Sequence, residues 1–136
     1  MATQKTAWKD LLLRVIPALL LVQSLFFKFS AAPESVLLFT TIGMEPFGRI
    51  GIGVAELIAS AMLLYRPLAF WGALGSLGLM AGALFFHLFT PLGVAIALPK
   101  GGNDGGVLFL MALAIFLLSL LNAYFHRSAI SGIIQK

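Results

Sequence analysis

Four apolar runs, each about twenty residues long, alternate with short polar breaks along the chain. The central run, LAFWGALGSLGLMAGALFFHLF at residues 68–89, holds 22 residues without one Asp, Glu, Lys or Arg. A helix of that length reaches about 33 Å, enough for a hydrocarbon core of roughly 30 Å. Its Gly75, Gly78 and Gly82 recur at spacings of three and four and so share one face. That face predicts close approach of a neighbouring helix. The first run, residues 10–29, has Arg14 toward one end and Lys28 at the other, both able to snorkel. Pro17 lies inside it, where neighbouring helices can satisfy the freed carbonyl.

Residues 30–44 are less regular. Pro33 suits a first helical turn, Glu34 the positive end of its dipole, and Gly43 its stop. About ten residues rise only about 15 Å, so the segment 33–43 predicts a helix that lies on or dips into the membrane without crossing it. Glu45-Pro46 then opens a second span at 47–65, and Arg66-Pro67 turns tightly into the third at 68–89. The connector to the fourth, at 106–125, begins apolar (PLGVAIALP) and ends as the polar loop KGGNDGG, where Asn103 or Asp104 can cap the next helix. The expected architecture is an all-α membrane protein with a single transmembrane domain over residues 1–136. It is a four-transmembrane-helix bundle with a short non-spanning segment between helices one and two.

Composition strengthens this reading. Hydrophobic residues make up 60% and charged residues 10% of the chain, against about 45–50% and 25% in soluble domains. So short a chain could not hide that much apolar surface from water. The formal charge of +4 comes from basic residues scattered singly beside apolar runs, which suits topology and not nucleic-acid binding. The absence of cysteine excludes disulfides, thiol catalysis and Cys-ligated metals. With carboxylates also scattered, neither a metal centre nor an intrinsic cofactor is expected. The polar start lacks a convincing cleavage site, so the first run reads as a retained helix and not a signal peptide.

Charge also orients the chain. With both ends cytoplasmic, that side holds Lys5, Lys9, Arg14, Arg66, Arg127 and Lys136, and the far side holds Lys28, Arg49 and Lys100. Six against three predicts a multi-pass inner-membrane protein with cytoplasmic N- and C-termini.

Few residues can carry chemistry. Glu56 lies ten residues from Arg66, so about 15 Å from that boundary, where a carboxylate is paired, protonated or lining a polar path. Arg14, about 9 Å deep if Trp8 marks the interface, is the expected partner, with Gln23, Ser24, Ser60 or Asn122 as lesser polar neighbours. The pair is either structural or part of a substrate, proton or quinone site. His87 ends the central run at the outer boundary, where Lys28, Glu45, Arg49 and Asp104 can gather with it around a small outer pocket. His87 and His126 sit at opposite membrane faces and cannot share one haem. GGNDGG lacks the ending of a phosphate loop.

Taken together, Arg14, Phe27-Lys28-Phe29, Gly43-Met44-Glu45-Pro46, GIGVAELIASAMLLYRPLAFWGAL and His87 resemble the DoxX-like family of small four-helix membrane proteins. The resemblance covers residues 10–90, with the fourth helix matched only by hydropathy. It implies an inner-membrane bundle in which Glu56 and His87 match the family's recurring acidic and histidine positions. It also implies links to quinone-coupled sulfur oxidation, as the small subunit of a thiosulfate:quinone oxidoreductase, and to membrane oxidative-stress complexes. The outline is similar to the vitamin K epoxide reductase group, whose redox cysteines have no counterpart here. Three roles follow: an accessory or small quinone-interacting subunit of a membrane redox system, with a membrane or soluble redox partner; a small-solute or lipid permease using Glu56; or a structural partner protein. Four helices are few for a permease unless it forms a homo-oligomer.

Overall fold

A computed structural model of the chain describes residues 2–127, with side chains from residue 7 onward. Lys136 and the Lys5 side chain lie outside the described residues. Five α-helices follow one another: α1 (Ala2–Phe29), α2 (Pro33–Thr41), α3 (Phe47–Leu64), α4 (Ala69–Phe89) and α5 (Val107–Phe125), with a 3-10 turn at Arg66–Leu68. Four of them are long and apolar enough to cross a bilayer: Ala7–Phe29, Phe47–Leu64, Arg66–Phe89 and Val107–Phe125. The chain is an all-α bundle of four such helices, with α2 as a short non-spanning segment between the first and second. α1 begins eight residues earlier than the hydropathy predicts, because its polar first turns continue the helix beyond the apolar run.

The long helices form a ring in the order α1, α3, α4, α5. Their ends fall into two levels. At the turn end lie Asp10, the Leu64–Leu68 turn and His126; at the connector end lie α2 and the loop 90–106. The interior is thin and made of small or medium side chains, among them Ala18, Leu21, Ala59, Leu63, Ala73, Met80, Ala112 and Ile115. Leu19, Phe26, Leu57, Ile58, Phe85, Leu88, Leu117, Leu120 and Leu121 instead point outward and are exposed. In water such a surface would aggregate; in a bilayer it is the solvated face. Polar groups point inward, as in the buried Ser119–Ser76 hydrogen bond of 2.9 Å that ties α5 to α4.

The glycine face of α4 behaves differently from the expectation. A Cβ at Gly72 would meet the backbone of α3, 2.7 Å from Leu63 N and 3.0 Å from the Ala59 carbonyl oxygen. At Gly75 the nearest atom is the Ala59 Cβ at 3.8 Å, and at Gly78 and Gly82 nothing lies within 4 Å. Close packing thus centres on Gly72, with Gly75 in ordinary contact and Gly78 and Gly82 in none. The tight turn at Arg66–Leu68 holds α3 and α4 close at their joined ends, where Gly72 lies.

Candidate functional site

The antiparallel register of α1 and α3 decides which charges meet. Arg14 Nη1 donates to the Leu64 carbonyl (2.9 Å), and Arg49 donates to the Lys28 carbonyl near the other end. Arg14 therefore lies level with Leu64, eight residues or about 12 Å from Glu56. The expected Glu56–Arg14 pair does not form. Arg14 is taken by Asp10, one helical turn earlier, at 3.1 Å. Glu56 pairs instead with Lys28, whose Nζ lies 3.1 Å from Glu56 Oε2. Ser24 completes the group. Its Oγ accepts from Lys28 Nζ (3.2 Å), and its one hydrogen can go to Glu56 Oε2 (3.0 Å) or to the Leu21 carbonyl (2.8 Å). The spacing Ser24, Lys28 is i, i+4, so both face Glu56 from one side of α1.

His87 ends α4 and is held by the connector. Its Nδ1 lies 2.7 Å from the Gly93 carbonyl, and Phe109 of α5 meets the ring edge-on at 5.6 Å. A carbonyl can only accept, so Nδ1 carries the hydrogen. The neutral ring then presents its lone pair at Nε2, and the protonated ring presents a second donor there.

Asp104 folds the connector back toward the same place. Its Oδ1 accepts from Ile96 N and Gly106 N, each at 2.9 Å, and its Oδ2 from Leu108 N at 3.1 Å. Asp104, of the two expected caps, thus serves the first turn of α5, while Asn103 Oδ1 accepts from Gly105 N. Burial pushes the Asp104 carboxyl up. The three N–H donors, of Gly106, Leu108 and Ile96, together with nearby His87, outweigh it and hold the carboxyl below its ordinary value.

These groups surround one cavity of about 500 Å³ at the connector end of the ring. Lys28, Glu56, His87 and Asp104 line it, with Ser24 and Gln23; α2 contributes Glu34, Ser35, Leu38 and Phe39, and the remaining wall is apolar. That volume falls within the usual range of about 300–1,000 Å³ for small-molecule sites. Glu45 and Arg49, expected at the same pocket, lie outside its lining. They pair with each other at 2.8 Å across one turn, anchoring the start of α3 to the end of α1. Gly78 and Gly82, expected to pack helices, are cavity wall.

Of the buried polar residues that line the cavity, Glu56 and His87 each keep one side-chain atom without a protein partner among the described residues. Both contacts of Glu56 use Oε2, and both described roles of His87 use Nδ1 and the ring face. The residues are only 3% and 5% exposed, yet neither Glu56 Oε1 nor His87 Nε2 is a sealed, unsatisfied atom. Each therefore keeps some accessible surface, and both residues line the cavity. A proton-accepting oxygen and a nitrogen that can accept or donate, set in apolar walls, suit a ligand with a small hydrogen-bonding head and an apolar body. Among the described residues no three His, Asp or Glu side chains gather to hold a metal ion.

A second polar cluster closes the turn end. Asp10, 5% exposed, takes Arg14 at 3.1 Å, His126 Nε2 at 2.5 Å and, more distantly, Arg66 at 3.8 Å. His126 Nδ1 lies 2.6 Å from Asn122 Oδ1, and Asn122 Nδ2 donates to the Leu13 carbonyl at 2.6 Å. Sequence reasoning used Asp10 only as a helix start and placed Asn122 near Glu56. The i, i+4 spacing of Asp10 and Arg14 was the available signal; His126 could be added only by knowing that α5 returns beside α1. Comparison with protein-family models, with curated proteins and with solved structures finds no match to this chain.

Proposed function

We propose that this chain is a DoxX-like inner-membrane protein acting as an accessory, quinone-interacting subunit of a membrane redox system. The observation that carries the reading is the cavity in which Glu56 Oε1 and His87 Nε2 stand without protein partners between apolar walls. A quinol hydroxyl would donate to either atom, and a quinone carbonyl would accept from Lys28 Nζ, Ser24 Oγ or protonated His87. The chain supplies binding and a proton acceptor; electrons would come from a partner carrying its own redox centre. The site supports binding over passage, because the cavity lies at the connector end while the Asp10–Arg14–His126 cluster ties the opposite end together.

The test is what stays bound after gentle purification. Organic-soluble ligands of the native protein and of the Glu56→Gln and His87→Ala variants are identified by mass spectrometry. Quinone retained by the native protein and lost in either folded variant is the expected result. No quinone, with solute flux into liposomes abolished by Glu56→Gln, would replace this reading with a permease. Neither ligand nor flux, with a soluble redox protein co-purifying regardless of both substitutions, would reduce the chain to a scaffold.

A further inference from the structure

Contact between the glycines of α4 and the body of α3 falls off from the turn end toward the connector end. The distance from an added Cβ to the nearest atom grows from 2.7 Å at Gly72 to 3.8 Å at Gly75, and beyond 4 Å at Gly78 and Gly82. The glycine stripe therefore lines a wedge instead of sealing a helix pair, and Gly78 and Gly82 also form cavity wall. On the outer face of the same seam lies an apolar groove of about 230 Å³, formed by Ala55, Ile58, Met62, Trp71 and Gly75. Leu79 lines both the groove and the cavity. The two are thus neighbours across one side chain, the cavity with its unpartnered Glu56 Oε1 and His87 Nε2, the groove wholly apolar and turned toward lipid.

We propose that the α3–α4 seam is a tail channel: the ligand is a long-chain amphiphile with an uncharged head. Its head sits against Glu56 and His87, and its chain leaves past Gly78 to lie in the groove toward Trp71. This rests on the reading above, that a membrane-dissolved ligand fills the cavity, and adds the ligand's class and route. The head is uncharged because the enclosed ions of the site are already matched, Lys28 by Glu56 and Asp104 by backbone donors, and the remaining carboxylate of the lining, Glu34 of α2, is exposed. An ionised head would arrive in an apolar enclosure without a counter-charge. From Gly78 to Trp71 is seven residues, about 10 Å along the helix, so the groove takes a chain and not a compact solute. A methyl at 78 would meet nothing within 4 Å, but a bulky side chain there would project into the wedge.

A first experiment needs no ligand. Trp8 and Trp71 are changed to Phe and Met80, a cavity-lining residue, to Trp, giving a single reporter in liposomes. Lipids brominated on their acyl chains should quench it, aqueous iodide should not, and Gly78→Leu should remove the quenching. Quenching by iodide alone, or by neither agent, would overturn the channel. A second experiment compares decyl-benzoquinone with tail-free benzoquinone. Gly78→Leu should weaken the tailed probe at least about tenfold, the effect of losing burial of two methylenes, and leave the tail-free probe unchanged. Equal loss for both probes, or no loss, would overturn it. If neither probe binds the native protein, the quinone reading fails, and the reporter result alone decides the channel.

Discussion

Glu56 and Lys28 are the most constrained residues of the bundle. Their 3.1 Å pair lies within the apolar zone, with side chains only 4% and 14% exposed. Removing one partner leaves the other charge uncompensated, which costs about 3–5 kcal/mol in buried pairs. Lys28 sits near the end of α1 and can snorkel, so Glu56→Gln is expected near the lower limit of that range. The double variant Glu56→Gln/Lys28→Met should recover most of the loss, as read by thermal unfolding in detergent. Additive losses would show that the two residues do not act as a pair. Asp104 gives a separate prediction. Its carboxyl is held below the ordinary value of about 3.9, so its contribution to stability is complete above that pH. It is lost as pH falls through the lower folded value. Native protein should therefore exceed Asp104→Ala in melting temperature at pH 6, and the gap should shrink below about pH 4. A gap unchanged at pH 3 would contradict the role of the carboxylate as acceptor for Ile96, Gly106 and Leu108.

α4 shows what a pattern of residues encodes and what it omits. Spacing identifies Gly75, Gly78 and Gly82 as one face, since helical periodicity is local. Where along that face another helix touches depends on crossing geometry, which the turn at Arg66–Leu68 imposes and no local pattern reveals. The same holds for Glu56. Its depth was legible from residue counting, but its partner depended on the α1–α3 register, in which Arg14 meets Leu64 and Lys28 meets Glu56. The element count, the non-spanning α2 and the Asp104 cap were legible because each follows from a contiguous stretch. The cavity was not, because residues of all five helices and the connector build it. Gly72→Ala should lower the melting temperature, since overpacking against the α3 backbone costs about 1–3 kcal/mol. Gly78→Ala should be nearly neutral. The reverse order would contradict the wedge.

The whole molecule is a ring of four apolar helices tied at one end by a polar cluster and hollow at the other. The ties between α1 and α5 among the described side chains, Asn122 to Leu13 and His126 to Asp10, both lie at the turn end. Beyond them, toward the connector end, the polar contacts of α1 go to α3. Such a shape leaves room for a small molecule at one end of the ring. The excess of basic residues predicts a cytoplasmic turn end, and the four-span topology predicts that reporter fusions after Arg66 and after Lys100 lie on opposite sides; the same side for both would refute it. The most direct measurement of the site itself is photolabelling in native-like membranes with a photoreactive quinone, followed by mapping of the modified peptides. Adducts concentrated on residues 23–28, 52–56, 79–87 and 108–115, and reduced by Glu56→Gln, are the result this account predicts. Adducts spread over the outward residues Leu57, Ile58, Leu117 and Leu120, with none among the cavity residues, would contradict it.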